Sequence, residues 1–168
     1  IGFSEAGRWW AELTSGAEPL AYDVSHWNAA AVDGKFMYLS FRNADAIYKV
    51  NRKTGRVVWK LGGTTTPRSL ELVNGPADGY PLGGQHDVHV LPDKTITVFN
   101  NRTDLAGSQP RAQRFRIDED AGTAKIIGTI RDERVGETFC CGSAQMLPSK
   151  VWLVSWGNSG LTGAYDDA

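Results

Sequence analysis

The chain has 168 residues, 41% hydrophobic and 22% charged, enough apolar side chains for a real core, so disorder is excluded. Its formal net charge is -1, with no block of like charge, which sets nucleic acid and anionic membrane surfaces aside as partners. No apolar run is long enough to cross a bilayer, so no membrane span is expected.

Residues 1–21 form an N-terminal segment without a basic stretch followed by an apolar core, so no signal peptide is read there. Within it, GRWWAELTSGAEPL is predicted to form a short helix or to cross a face, and no role is assigned to it. From residue 22 the chain becomes a repeat of short runs rich in Val, Ile, Tyr, Phe and Trp, separated by Gly, Asp and Asn, which predicts an all-β fold. The first unit, 22–63, carries SHWNAAAVDGKFMYLSFRN and AIYKVNRKTGRVVWKLGG, four strand-like runs with NRKTGR as a polar hairpin turn. A Gly/Pro-rich insert, 64–84, is expected to be a loop without structure of its own, and RTDLAGSQP after Asn101 is another. The second unit, 85–134, repeats the first run for run. A third, 138–168, stops before a fourth strand.

Each unit has the length and pattern of a propeller blade, a small antiparallel sheet packed on both faces. A partial β-propeller of about two and a half blades is therefore predicted, short of the roughly four to eight that close a ring. Further blades, or oligomerisation, would cover the open faces.

Aligning Asp33 with Asp93 brings His26 onto His86, a step of 60 residues. The inner strand of each blade starts near the central channel, so equivalent positions on successive blades converge there. A lone His at a strand start is more often structural, but this superposition makes both candidates for chemistry. The third unit places Gly142 and Ser143 at that point and would contribute a backbone N–H or a hydroxyl.

SHWN, LSFRN, AIYKVNRKTGRVVWKLGG and GGQHDVHVLPDKTITVFNN, in this order and spacing, resemble the arylsulfotransferase propeller family. GSAQMLP and VWLVSWGN follow the resemblance more loosely. It implies one part of a six-bladed propeller that moves a sulfuryl group from an aryl sulfate to a phenol without phosphoadenosine phosphosulfate, hence without a cofactor. The resemblance maps the nucleophile, which becomes a sulfo-histidine, onto His86. It also maps the H-x-N histidine onto His26 and the Arg of the following strand onto Arg42. A further family histidine lies in an earlier blade and has no counterpart here. The implied partners are a phenolic sulfate donor and a phenol acceptor, and the implied location is periplasmic or secreted.

These residue types suit the reaction. Sulfuryl transfer, like phosphoryl transfer, has a loose transition state, so positioning and charge stabilisation dominate. A neutral imidazole with a pKa near ~6.5 can attack sulfur and later leave, which suits His86. Arg42 presents a planar guanidinium to two oxygens at once, and His26 can hold the group or protonate the departing phenolate. Asn28 is a substrate-binding candidate whose other readings are orienting a histidine or capping a turn, and Trp27 is the aromatic residue considered for contacting a phenol.

Plainer readings stand beside these. Arg42 pairing with Asp45 is an even alternative on residue type alone. His89 lines the channel or packs, and Asp87 orients an imidazole or fixes a turn. Trp59, Trp152 and Trp156 are assigned to the core between blades. No metal is predicted, because His86 and His89 do not complete a ligand set. Cys140 and Cys141 are adjacent, which excludes a C-x-x-C pattern, and reduced thiols or outside partners are plainer than a strained bond between neighbours. A non-catalytic ligand- or protein-binding propeller is the second reading. A quinoprotein-like propeller, suggested by TGRVVWKLGG, is the third.

Overall fold

The computed structural model describes residues 23–77, 79–103, 105 and 109–167; the segment GRWWAELTSGAEPL lies outside them. The described chain is all-β and forms three sheets in succession. The first holds β1 (Trp27–Asp33), β2 (Phe36–Phe41), β3 (Ala46–Asn51) and β4 (Val57–Gly62), antiparallel and in chain order. The second contains β5 (Glu71–Leu72), then β6 (His86–Val90), β7 (Ile96–Asn100), β8 (Arg111–Asp118) and β9 (Thr123–Ile130) as an antiparallel meander. The third has β10 (Ser143–Met146), β11 (Val151–Ser155) and β12 (Thr162–Asp166), three strands among the described residues.

Burial explains why the middle strands read as unbroken apolar runs. Ile96 and Val98 on β7 join Tyr38, Ile47, Trp59 and Leu61 in the core between the first two sheets. Phe99, one residue on, faces the opposite way and joins Trp152, Val154 and Trp156 in the core between the second and third. Both faces of β7 are thus covered, and polar alternation would be costly there. On β11 only one face is covered: Trp152 and Val154 are buried, whereas Leu153 is 40% exposed. The innermost strands β1, β6 and β10 pack side by side, the arrangement of successive blades in a partial β-propeller.

The insert 64–84 has more structure than its composition suggested. The Lys60 N–H donates to the Arg68 carbonyl at 2.8 Å, and the Leu70 N–H returns a bond to Lys60 at 2.8 Å. Directly after Leu70, Glu71 and Leu72 pair in parallel with Thr123 and Ala124 of β9. Asn74 continues this by accepting from the Ile126 N–H and donating to its carbonyl, both at 2.8 Å. The segment tapes the outer strands of two blades together. Its pairing is two residues long, too short for a periodicity to show in sequence.

Candidate active site

The polypeptide reaches the inner rim through Gly83, Gly84 and Gln85. Gln85 is fully buried, and its Nε2 lies 3.1–3.2 Å from Ser40 Oγ and from the carbonyls of Phe41 and Ala46. Asn28 completes this clamp, with Nδ2 donating to the Gln85 carbonyl at 2.7 Å. Asn28 is therefore placed between β1 and the start of β6, as an orienting residue of the blade junction. Its Oδ1 is buried without a hydrogen-bond partner.

Gly84 has φ +58°, and a Cβ there would meet Thr103 Oγ1 at 2.6 Å, so only glycine fits this turn. The Gly84 N–H donates to Asp45 Oδ1 at 2.7 Å. Its carbonyl lies 3.1 Å from His86 Nδ1. A carbonyl only accepts, so Nδ1 carries the hydrogen and the lone pair resides on Nε2. The Cys141 N–H points at that lone pair from 3.3 Å. Burial, with the nearby charges of Arg42 and His26, outweighs the Gly84 bond and the Asp87 charge and lowers the His86 pKa to about 4. The ring is neutral at physiological pH.

Arg42 opens a 3-10 turn, Arg42–Ala44, directly after β2, and is buried at 6% exposure. Nη1 donates to Asn43 Oδ1 at 3.0 Å, and Nη2 donates to the Phe139 carbonyl at 2.6 Å, joining the first blade to the approach of the third. Asp45, the partner considered for Arg42 from sequence, accepts from the Gly84 N–H through Oδ1. A Cβ on Gly84 would lie 3.7 Å from Arg42 Nη2; the guanidinium and the His86 ring thus flank the same glycine.

His26 precedes β1 with φ +45°, and its carbonyl accepts from the Arg42 N–H at 3.0 Å. Asp23 holds it twice: Oδ1 accepts from the His26 N–H at 2.9 Å and Oδ2 pairs with Nδ1. The repeat alignment is displaced by one position, since His86 lies opposite Phe99 whereas Trp27, not His26, lies opposite Phe41. Register shifts at Trp27/Ala29 and at His86/His89 cause this. Trp27 is 62% exposed, with its indole N–H on the Ala29 carbonyl at 3.0 Å.

The second shift also settles His89 and Asp87. Asp87, at φ +60°, accepts from the Ala144 N–H at 2.8 Å and lies 2.9 Å from His89 Nε2, linking β6 to β10. Burial pushes the Asp87 carboxyl up, but its bonds to His89 and Ala144 prevail and hold it below the ordinary range. The same bond raises His89. The pair fastens two blades and leaves His86 to other partners.

Sequence reasoning did not single out Asn101. This buried side chain donates to the Gly84 carbonyl at 2.7 Å and lies 3.1 Å from the Cys141 carbonyl, while its Oδ1 accepts from Thr138 at 2.6 Å. It sets the distance between the His86 ring and the Cys141 N–H. Its signal was the second Asn of VFNN, placed just where β7 ends. Asp23 was likewise missed, three residues before His26. At the His86 ring the third blade places the Cys141 N–H, one residue before Gly142 and Ser143, from which a backbone N–H or a hydroxyl was expected.

A histidine, an arginine and a backbone N–H from three successive blades thus meet at one rim of the partial β-propeller. The chain belongs to the arylsulfotransferase (ASST) family, whose model matches residues 11–168. No curated protein matches it. Membership carries an arylsulfotransferase-like function and small aryl substrates in general terms. Among the described residues no helix is long and apolar enough to cross a membrane.

Proposed function

We propose that the chain carries the reacting groups of an enzyme that moves a sulfuryl group from an aryl sulfate ester to a phenol through a sulfo-histidine at His86. The observation that carries this reading is the state of that ring: neutral, with Nδ1 tied to Gly84 and the lone pair left on Nε2. Nε2 attacks the donor sulfur, the S–O bond to the aryl group breaks, and its electron pair leaves on the phenolate. Arg42, whose side chain has five N–H donors, gathers the sulfuryl oxygens, and the Cys141 N–H moves from Nε2 onto one of them.

His26 supplies a proton to the phenolate. Asp23 accepts at Nδ1, which keeps a hydrogen on that atom and makes Nε2 the exchanging nitrogen. Trp27, exposed beside it, offers an aromatic face to the phenol. In the second half the acceptor phenol returns a proton to His26 as its oxygen attacks sulfur, the N–S bond breaks with its electron pair going back to Nε2, and both histidines are regenerated. A periplasmic or secreted location belongs to the same reading.

Incubating the full-length protein with p-nitrophenyl sulfate and a phenol tests it. Coloured nitrophenolate is expected, with turnover abolished in His86→Asn. Unchanged turnover in that variant rejects the assignment.

A further inference from the structure

The thiols of Cys140 and Cys141 have no part in the transfer just described, yet they sit against it. Their Sγ atoms are 2.6 Å apart, well inside the contact distance of two sulfur atoms that merely touch. The surrounding backbone fixes this approach. The Phe139 carbonyl is held by Arg42, and the Phe139 N–H donates to Asn158 Oδ1 at 3.1 Å. Past the pair, Asn101 holds the Cys141 carbonyl, and a Cβ on Gly142 would lie 2.4 Å from the Phe99 ring. Cys141 itself is in the left-handed region, φ +66°, a conformation a non-glycine residue keeps only where its neighbours impose it. Cys140 is buried and Cys141 exposed, so one thiol of the pair faces solvent.

We infer that Cys140 and Cys141 close to a reversible vicinal disulfide, a covalent modification that pins the Cys141 N–H on His86 Nε2 and slows chemistry at that ring. The consequence for turnover rests on the role proposed above for His86; bond formation itself does not. The oxidant is a small disulfide of the glutathione type. The exposed Cys141 thiolate attacks one of its sulfurs, the S–S bond breaks, and one glutathione leaves as thiolate. Cys140 then attacks the Cys141 sulfur, giving its proton to the second departing glutathione. Two protein thiols are oxidised and one disulfide becomes two thiols. Burial, followed by the bond with Cys141, pushes the Cys140 thiol up to about 12, which fits this order of attack.

Closure forms a small ring containing the Cys140–Cys141 peptide. That peptide carries the N–H aimed at Nε2. In the dithiol it can tilt and release the lone pair; in the ring it is held, and attack must first break a hydrogen bond.

The experiment treats the full-length protein with oxidised glutathione or with dithiothreitol, then measures alkylation of the two cysteines by peptide mass spectrometry. A second measurement follows carbethoxylation of His86 by diethyl pyrocarbonate, which needs a free Nε2 and no sulfate donor. Oxidation is expected to remove both alkylation sites with loss of two hydrogens, and to slow both carbethoxylation and p-nitrophenyl sulfate turnover about five-fold, the factor one net hydrogen bond is worth. Dithiothreitol restores both rates, and neither Cys140→Ser nor Cys141→Ser forms the internal bond. Two cysteines that stay alkylatable, or a disulfide that leaves carbethoxylation unchanged, overturn the inference. Redox-dependent carbethoxylation without sulfate turnover in either form supports it and rejects the sulfotransferase reading alone.

Discussion

Where the first and second blades meet, the inner and outer ends of the same junction are fastened by different chemistry. At the inner end, Gln85 and Asn28 bridge backbone carbonyls through short amide bonds, and Gly84 docks on Asp45. At the outer end, Phe36, Tyr38 and Trp59 surround a cavity of about 260 Å³ with Lys49, which lies 3.9 Å from the Phe36 ring centre and pairs with Glu119. The first arrangement fixes backbone to backbone. The second joins blades through one long, buried side chain and its charge pair, with no bond to the backbone among those described. An imidazole and a guanidinium gain from the rigid end, because catalytic groups lose effect when displaced by as little as about 1 Å.

Three perturbations sharpen the contrast. The largest effect is expected from Gln85→Leu, which leaves the buried carbonyls of Phe41 and Ala46 short of donors at a cost of roughly 1–3 kcal/mol each. Urea unfolding should shift to lower midpoints, and turnover under native conditions should fall about 10²-fold through misplacement of His86. Retained turnover would show that the clamp does not position the ring.

The next effect is on pH dependence. Only the neutral His86 ring attacks, so kcat/KM should fall as pH drops through about 4, far below the ~6.5 of an ordinary histidine. The Arg42 charge contributes to that lowering, so Arg42→Gln should move the acid limb upward in pH besides weakening substrate binding. An acid limb that stays in place in the variant would separate the two residues.

The smallest effect belongs to the outer end. Glu119→Gln removes the partner of Lys49 and weakens the acceptor of the Trp59 indole N–H, 3.1 Å away. A stability loss of about 1 kcal/mol is expected by thermal denaturation, with turnover unchanged. A turnover loss matching that of Gln85→Leu would erase the distinction between the two ends.

Sequence carried the parts of this account that reside in side-chain identity and spacing. The run ITVFN revealed its blade because burial on both faces demands apolar residues, whereas VWLVS alternates buried and exposed positions. His86 was named from its repeat step with His26 and from the family resemblance, and Arg42 from the resemblance, because residue type alone left both with plainer readings. What escaped was the work of backbone atoms: the Gly84 carbonyl, the Phe139 carbonyl and the Cys141 N–H leave no signature, since every residue carries the same groups. The one-position offset between His26 and His86 was hidden for a related reason. Bulges shift register without changing residue types, and positive φ at His26 and Asp87 is not what those residues advertise. Asn101 was visible but ambiguous, as an Asn at a strand end usually reads as a turn residue.

The most direct measurement is capture of the covalent intermediate. The full-length protein is mixed with p-nitrophenyl sulfate in the absence of acceptor, quenched in alkali and digested for peptide mass spectrometry. The account predicts one added SO3 on the peptide bearing His86, removed on later addition of phenol. Nitrophenolate release with that peptide unmodified, or with SO3 on another residue, would contradict it.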